Sequence, residues 1–167
     1  MKLRRYLIEK AQRNPIVYHG TYHSDIKNFS TKRKRSETGV RHFGSYFTDS
    51  IEMSRTFGKY IYKVQLKFSK LIDMTKWKPA SADENFVLSV PELRQSEREE
   101  YLKFEYRGKN SPYNVLETLD GKYDMLKRWK KSGYDGVAFW EEHFSKRGIT
   151  YVPFYSSQIK IVEIGEL

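Results

Sequence analysis

From Tyr60 the chain alternates: Tyr60, Tyr62, Val64, Leu66 and Phe68 fall on one face, and Lys63, Gln65 and Lys67 on the other. A period of two in aromatic and β-branched residues predicts a strand over 60–68 with one buried face. Shorter apolar runs predict further strands. Ile16, Val17 and Tyr18 follow Pro15, which can precede a strand but not sit inside a central one. Residues 44–48 carry aromatic mass in Tyr46 and Phe47, with Phe43 just before them. Leu71 to Met74 gives a short extension, and three runs at 134–140, 148–154 and 158–164 close the chain.

Helical spacing fills the remainder. Leu3, Tyr6, Leu7 and Ala11 form a stripe that predicts a helix over 2–13, stopped by Asn14-Pro15. Thr48, Asp49 and Ser50 are successive N-cap candidates for a two-turn helix ended by Gly58. Ser81 caps a segment carrying Phe86 and Leu88. Residues 92–103 are laced with charge and read as a solvated helix. Pro112 suits the first turn of a longer segment whose stripe is Val115, Leu116, Leu119, Met125, Leu126 and Trp129. Gly121 is the expected break in it, and Gly133 the expected C-terminal cap. Residues 75–131 thus form a helical insertion between strands. With no internal repeat or linker, the pattern predicts one α+β domain over 1–167, opened by a helix within 1–14.

Composition narrows the chemistry. There is no cysteine, which excludes disulfides, thiolate catalysis and a Cys-type zinc site. His23, His42 and His143 have no metal-ligand spacing and read as surface or loop residues, so no metal is expected. No apolar run is long enough to span a bilayer, and the basic start leads into a mixed segment rather than the apolar core of a signal peptide. A soluble, cytoplasmic protein with no membrane partner is the expectation. The formal net charge of +10 implies an anionic partner or simply solubility. The run Lys32-Arg33-Lys34-Arg35 concentrates part of that charge in one loop, which reads either as a plain surface loop or as a loop that meets a phosphate-bearing ligand near the site.

Two runs carry the functional signal: Val17-Tyr18-His19-Gly20-Thr21 and Gly44-Ser45-Tyr46-Phe47-Thr48-Asp49. A strand ending in His-Gly-Thr, a basic loop, then Gly-x-Tyr-Phe-Thr-Asp before a short helix resembles the ADP-ribosyltransferase fold. The likeness is to the histidine–tyrosine–acid branch of the diphtheria-toxin and poly-ADP-ribose-polymerase type, and to small phage and bacterial members, an anti-CRISPR enzyme among them. It spans about residues 16–164 and rests on the order and spacing of the motifs together. It implies a split β-sheet core with flanking helices.

The resemblance also implies a chemistry. NAD would be the substrate, and the bond between nicotinamide and ribose would break through an oxocarbenium-like state that a nearby carboxylate steadies. His19 would bind the adenine-side ribose, Gly20 would pair its backbone with the nicotinamide amide, and Tyr46 would stack on the nicotinamide ring. Thr21 and Ser45 would be secondary donors, and Phe57 or Tyr60 a second aromatic face. In the polymerase-like pattern a glutamate stands just before a strand of the Tyr-x-Val-Tyr kind. Here Tyr151-Val152-Pro153-Phe154 matches that frame, but Thr150 holds the acid's position. Small phage members place an acid after a run like Gly136-Val137-Ala138-Phe139-Trp140, which points to Glu141 or Glu142. Strand alternation sends only one of the two inward; Glu141 is preferred and Glu142 is the alternative.

The expected activity is mono-ADP-ribosylation of a macromolecular acceptor, with nucleic acid slightly favoured over protein because of the charge and the aromatic residues. A phage effector or toxin role, with a target or neutralising protein as partner, extends the resemblance. Two readings compete with it. One is a non-catalytic NAD- or nucleic-acid-binding module that has lost its acid. The other is an RNA 2′-phosphotransferase of the same fold.

Overall fold

The computed structural model describes residues 13–32, 34–35, 41–42, 44–77, 82–106 and 111–166. Residues 2–12 of the helix expected over 2–13, Phe43, Ser81 and most of the basic loop's side chains lie outside the described residues. In chain order the elements are β1 (Ile16–Thr21), β2 (Lys34–Arg35), β3 (Arg41–His42), β4 (Phe47–Thr48), α1 (Ile51–Ser54), β5 (Tyr60–Leu66) and β6 (Leu71–Asp73). They continue with α2 (Glu84–Ser89), α3 (Gln95–Phe104), α4 (Pro112–Tyr123), α5 (Met125–Lys131), β7 (Gly136–His143), β8 (Lys146–Pro153) and β9 (Ile159–Glu166). Single 3₁₀ turns stand at Arg55–Phe57 and Ser156–Gln158.

Seven strands join in the order β6-β7-β8-β4-β1-β5-β9, while β2 and β3 pair as a separate ribbon. Only β6 and β7 run parallel; the other sheet neighbours are antiparallel. The four helices α2–α5 lie between these parallel strands in sequence, as a parallel crossover requires a long connection. The sheet is pinched at β4. Its two residues pair with β1 at Tyr18 and with β8 at Tyr151 and Thr150. On one side lies β6-β7-β8, on the other β1-β5-β9.

The alternation in the sequence explains how the two sides pack. Val137 and Phe139 of β7 and Val152 of β8 face the helices, in a core with Phe86, Tyr101, Leu116, Leu119 and Trp129. Ala138 and Tyr151 face the other way, into a second core with Val17, Phe29, Phe47, Tyr62, Val64 and Leu66. Tyr62, Val64 and Leu66 are fully buried, as the period of two at 60–66 predicts.

Several local expectations shift. The helix after β4 is one α turn followed by a 3₁₀ turn. Ser50 is its cap, accepting the Met53 amide at 3.1 Å. Gly58 does not cap it through a left-handed turn: its φ is 165°, an extended conformation. It is small because a Cβ would lie 2.1 Å from the Thr21 carbonyl carbon. Helix α2 is capped by Asp83, whose carboxylate accepts the Phe86 amide. The break between α4 and α5 falls at Asp124, with φ 57°, and Gly121 stays inside the helix. Aspartate tolerates the left-handed region better than most side chains. The buried Asp120 carboxylate then accepts the Leu126 amide at 2.7 Å and starts α5. Gly133 has φ 81° and closes that helix as expected.

Residues 141–147, read from the sequence as a strand end and loop, continue as a tight hairpin. Its two central residues, Phe144 and Ser145, have φ of 46° and 60°. No glycine or asparagine marks this turn, so the pattern gave no sign of it.

Candidate active site

A cavity of about 270 Å³ opens at the seam where β4 joins the two sides. Its lining includes His19 and Gly20 from β1, Tyr46 and Phe47 beside β4, Phe57 from the 3₁₀ turn, Tyr113 from α4, Glu141 from β7 and Thr150 from β8.

His19 is held by geometry. Its Nδ1 lies 2.6 Å from the Tyr46 carbonyl oxygen, which can only accept, so Nδ1 carries the proton. That tautomer leaves Nε2 as an acceptor. Burial pushes the imidazole pKa down, against the opposing pull of the Tyr46 carbonyl, so the ring is neutral at neutral pH. Phe29 meets it edge-on at 4.9 Å and Phe47 meets it tilted at 5.5 Å, which fixes the plane of the ring. Gly20 sits where α1 crosses β1. A Cβ there would fall 1.8 Å from the Ser54 carbonyl oxygen, so the site's floor depends on glycine for packing as well as for ligand access. Beside it, β4 covers β1 only at Tyr18.

Tyr46 forms one wall. Its hydroxyl donates to the Tyr113 hydroxyl at 2.9 Å, which donates to Glu117 Oε1 at 2.7 Å. The two tyrosine rings meet edge-on at 5.0 Å. Burial, and then the Tyr46 hydroxyl, push the Tyr113 pKa up, so its phenol stays protonated and donating. Phe57, partly exposed, borders the same cavity. Its ring stacks on His143 at 4.4 Å, and the Thr56 hydroxyl lies 2.9 Å from His143 Nδ1.

The acid sits between them. Alternation puts Glu141 on the same face as Val137 and Phe139. The buried Thr150 hydroxyl, on the neighbouring strand, donates to Glu141 Oε2 at 2.7 Å. Thr150 occupies the position where the resemblance leads one to expect a glutamate, and the carboxylate reaches that spot from the next strand. Burial raises the Glu141 pKa; the Thr150 hydrogen bond and the nearby His143 work in the opposite direction. Gly148, directly across from Glu141, leaves no room for a side chain, because its Cβ would meet Thr48 Oγ1 at 2.5 Å.

The remaining expected residues stand elsewhere. Glu142 points from the other face and pairs with Arg147 at 2.7 Å. The Thr21 hydroxyl accepts the His23 amide, and the Ser45 hydroxyl donates to the Ser30 carbonyl. Tyr60 packs half-buried on the second core. None of these four belongs to the cavity lining. Tyr113 and Glu117 had no signal in the sequence, because they join the site through tertiary contact alone; His143, expected at the surface or in a loop, ends β7 with its ring stacked on Phe57. Among the described residues no group of three or more His, Asp or Glu gathers to hold a metal ion, and no helix is long and apolar enough to cross a membrane.

The arrangement places a neutral imidazole acceptor, two aromatic walls and a half-buried carboxylate around one space. A family model described as ADP-ribosyltransferase in polyvalent proteins matches residues 13–164. No curated protein and no solved structure matches the chain.

Proposed function

The chain belongs to the family of ADP-ribosyltransferases in polyvalent proteins, and from that premise we propose that it moves single ADP-ribose units from NAD to a macromolecular acceptor, with Glu141 as the essential acid. The observation that carries this reading is the Glu141 carboxylate, half-buried and held by Thr150, in a cavity whose walls include Tyr46 and Phe57. Ligand pockets run from roughly 300 to 1,000 Å³. A cavity of about 270 Å³ suits the nicotinamide and its ribose, with the adenine half lying along the open face near His19.

Tyr46 and Phe57 hold the nicotinamide ring between them. The open stretch of β1 past Tyr18 offers backbone groups to its carboxamide. His19, accepting at Nε2, takes a hydrogen bond from a ribose hydroxyl. The glycosidic bond breaks and nicotinamide leaves with the bonding pair as a neutral base. Positive charge develops on the ribose, and the ionised Glu141 stabilises it. The acceptor's nucleophilic atom then bonds to the ribose carbon and releases its proton. The products are ADP-ribosylated acceptor, nicotinamide and H⁺.

Incubation with NAD labelled on its adenine side, together with a cell lysate, tests the reaction. Label is expected in the macromolecular fraction, with free nicotinamide released. Intact NAD and no incorporated label would instead favour a non-catalytic binding module of the same fold.

A further inference from the structure

The tip of the β7–β8 hairpin breaks a local rule. Both central residues of this two-residue turn lie at positive φ, a conformation normally served by Asn-Gly or Asp-Gly. Here the first is Phe144, a bulky residue for which positive φ is a genuine outlier. Its ring is not hidden in compensation; Phe144 is 78% exposed. Strain kept at an exposed aromatic points to use rather than to packing.

The ring does not stand alone. Phe144 meets His143 edge-on at 4.4 Å, His143 stacks on Phe57 at 4.4 Å, and Phe57 borders the cavity. His143 is two residues beyond Glu141 on the same strand face. A continuous ladder of three rings therefore runs from beside the carboxylate out to solvent. Exposed cations follow at once in Lys146 and Arg147, and Arg147 pairs with Glu142 at 2.7 Å, which offsets that carboxylate's charge. The chain as a whole carries +10.

We propose that this hairpin tip docks the acceptor, and that the acceptor is single-stranded nucleic acid: a base stacks on Phe144 while Lys146 meets the adjoining phosphate. The inference rests on the transferase reading for its purpose, since it supplies the second substrate of the same site. Planar heterocycles are what an exposed ring next to cations binds without needing a particular sequence. A base stacked on the ladder brings its neighbour within reach of the space beside Glu141.

The test is binding without NAD, so that it stays readable even if no transfer is found. Fluorescently labelled single-stranded DNA and RNA oligonucleotides are titrated into the wild-type protein and into variants at several salt concentrations. Phe144→Ala is expected to weaken binding on the order of 10- to 100-fold. Phe144→Trp should retain it, with new emission that the oligonucleotide quenches relative to the wild-type background. Lys146→Ala should flatten the log–log salt dependence by about 0.7, the contribution of one phosphate contact on a single strand. Phe144→Asn separates docking from folding: it should raise Tm by roughly 2–4 °C by relieving the turn, while losing the oligonucleotide. Unchanged affinity in Phe144→Ala would overturn the proposal. So would a wild-type protein that binds neither oligonucleotide but labels a protein acceptor in a Phe144-dependent way.

Discussion

At neutral pH a buried carboxylate must be ionised to steady a cation, and burial works against ionisation. Under the proposed role the half-buried Glu141 would meet both demands. Its pKa in the folded protein is raised by desolvation above the ordinary value of 4.5. A group raised on folding favours the native state when protonated. That contribution is complete below the unfolded pKa and is lost as pH rises through the folded one. The ionised Glu141 therefore lowers stability at pH 7. Glu141→Gln should raise Tm at pH 7 by roughly 2–4 °C, the shift that about 1 kcal/mol produces in a domain of this size, and the gap should close by about pH 4. Thermal unfolding across pH checks this; a variant less stable than wild type at pH 7 would mean that the carboxylate is satisfied and stabilising. Thr150 tunes the same group from the other side. Thr150→Val removes the hydroxyl that favours the charged form, so the acidic limb of the pH–rate profile should move to higher pH, with activity at pH 6 falling about tenfold. An unmoved limb would separate Thr150 from the acid's ionisation.

At the scale of elements, the short ones are informative. β1, β4 and the turn after α1 bring His19, Gly20, Tyr46 and Phe57 together within residues 16–57, and their order in the chain was readable because strand ends and caps are local. Alternation within β7 likewise sorted Glu141 from Glu142. What local pattern could not supply was the wall from α4. Tyr113 stands 67 residues from Tyr46, and its spacing within the helix is that of any partly buried residue. The turn at Phe144 was equally silent, since the chemistry that signals such turns is missing there. Tyr113→Phe tests the α4 wall. It leaves the ring but removes the hydroxyl that links Tyr46 to Glu117, so KM for NAD should rise about three- to tenfold with kcat little changed, as expected for lost ground-state positioning. A fall in kcat at constant KM would assign Tyr113 a role in the chemical step.

For the whole molecule, the two sides of one seven-stranded sheet and a helical crossover meet at a two-residue strand, and the cavity lies at that junction. The α+β class and the longer strands followed from the hydrophobic pattern, while the β2–β3 ribbon, read from the sequence as a charged loop, did not. The pinch at β4 did not, because Phe47 and Thr48 are too few to show a period. The basic charge was visible as a sum but not as a surface, since charge on exposed positions obeys no pattern of folding. In the proposed reaction one carboxylate, Glu141, does what its neighbour Glu142 does not. Nicotinamide release from NAD by wild type, Glu141→Gln and Glu142→Gln measures that directly. Glu141→Gln should be slower by roughly 100- to 1,000-fold, the range for losing a preorganised electrostatic partner, while Glu142→Gln, which loses only an exposed pair with Arg147, should stay within about threefold of wild type. Loss of activity in Glu142→Gln with Glu141→Gln intact would contradict the account.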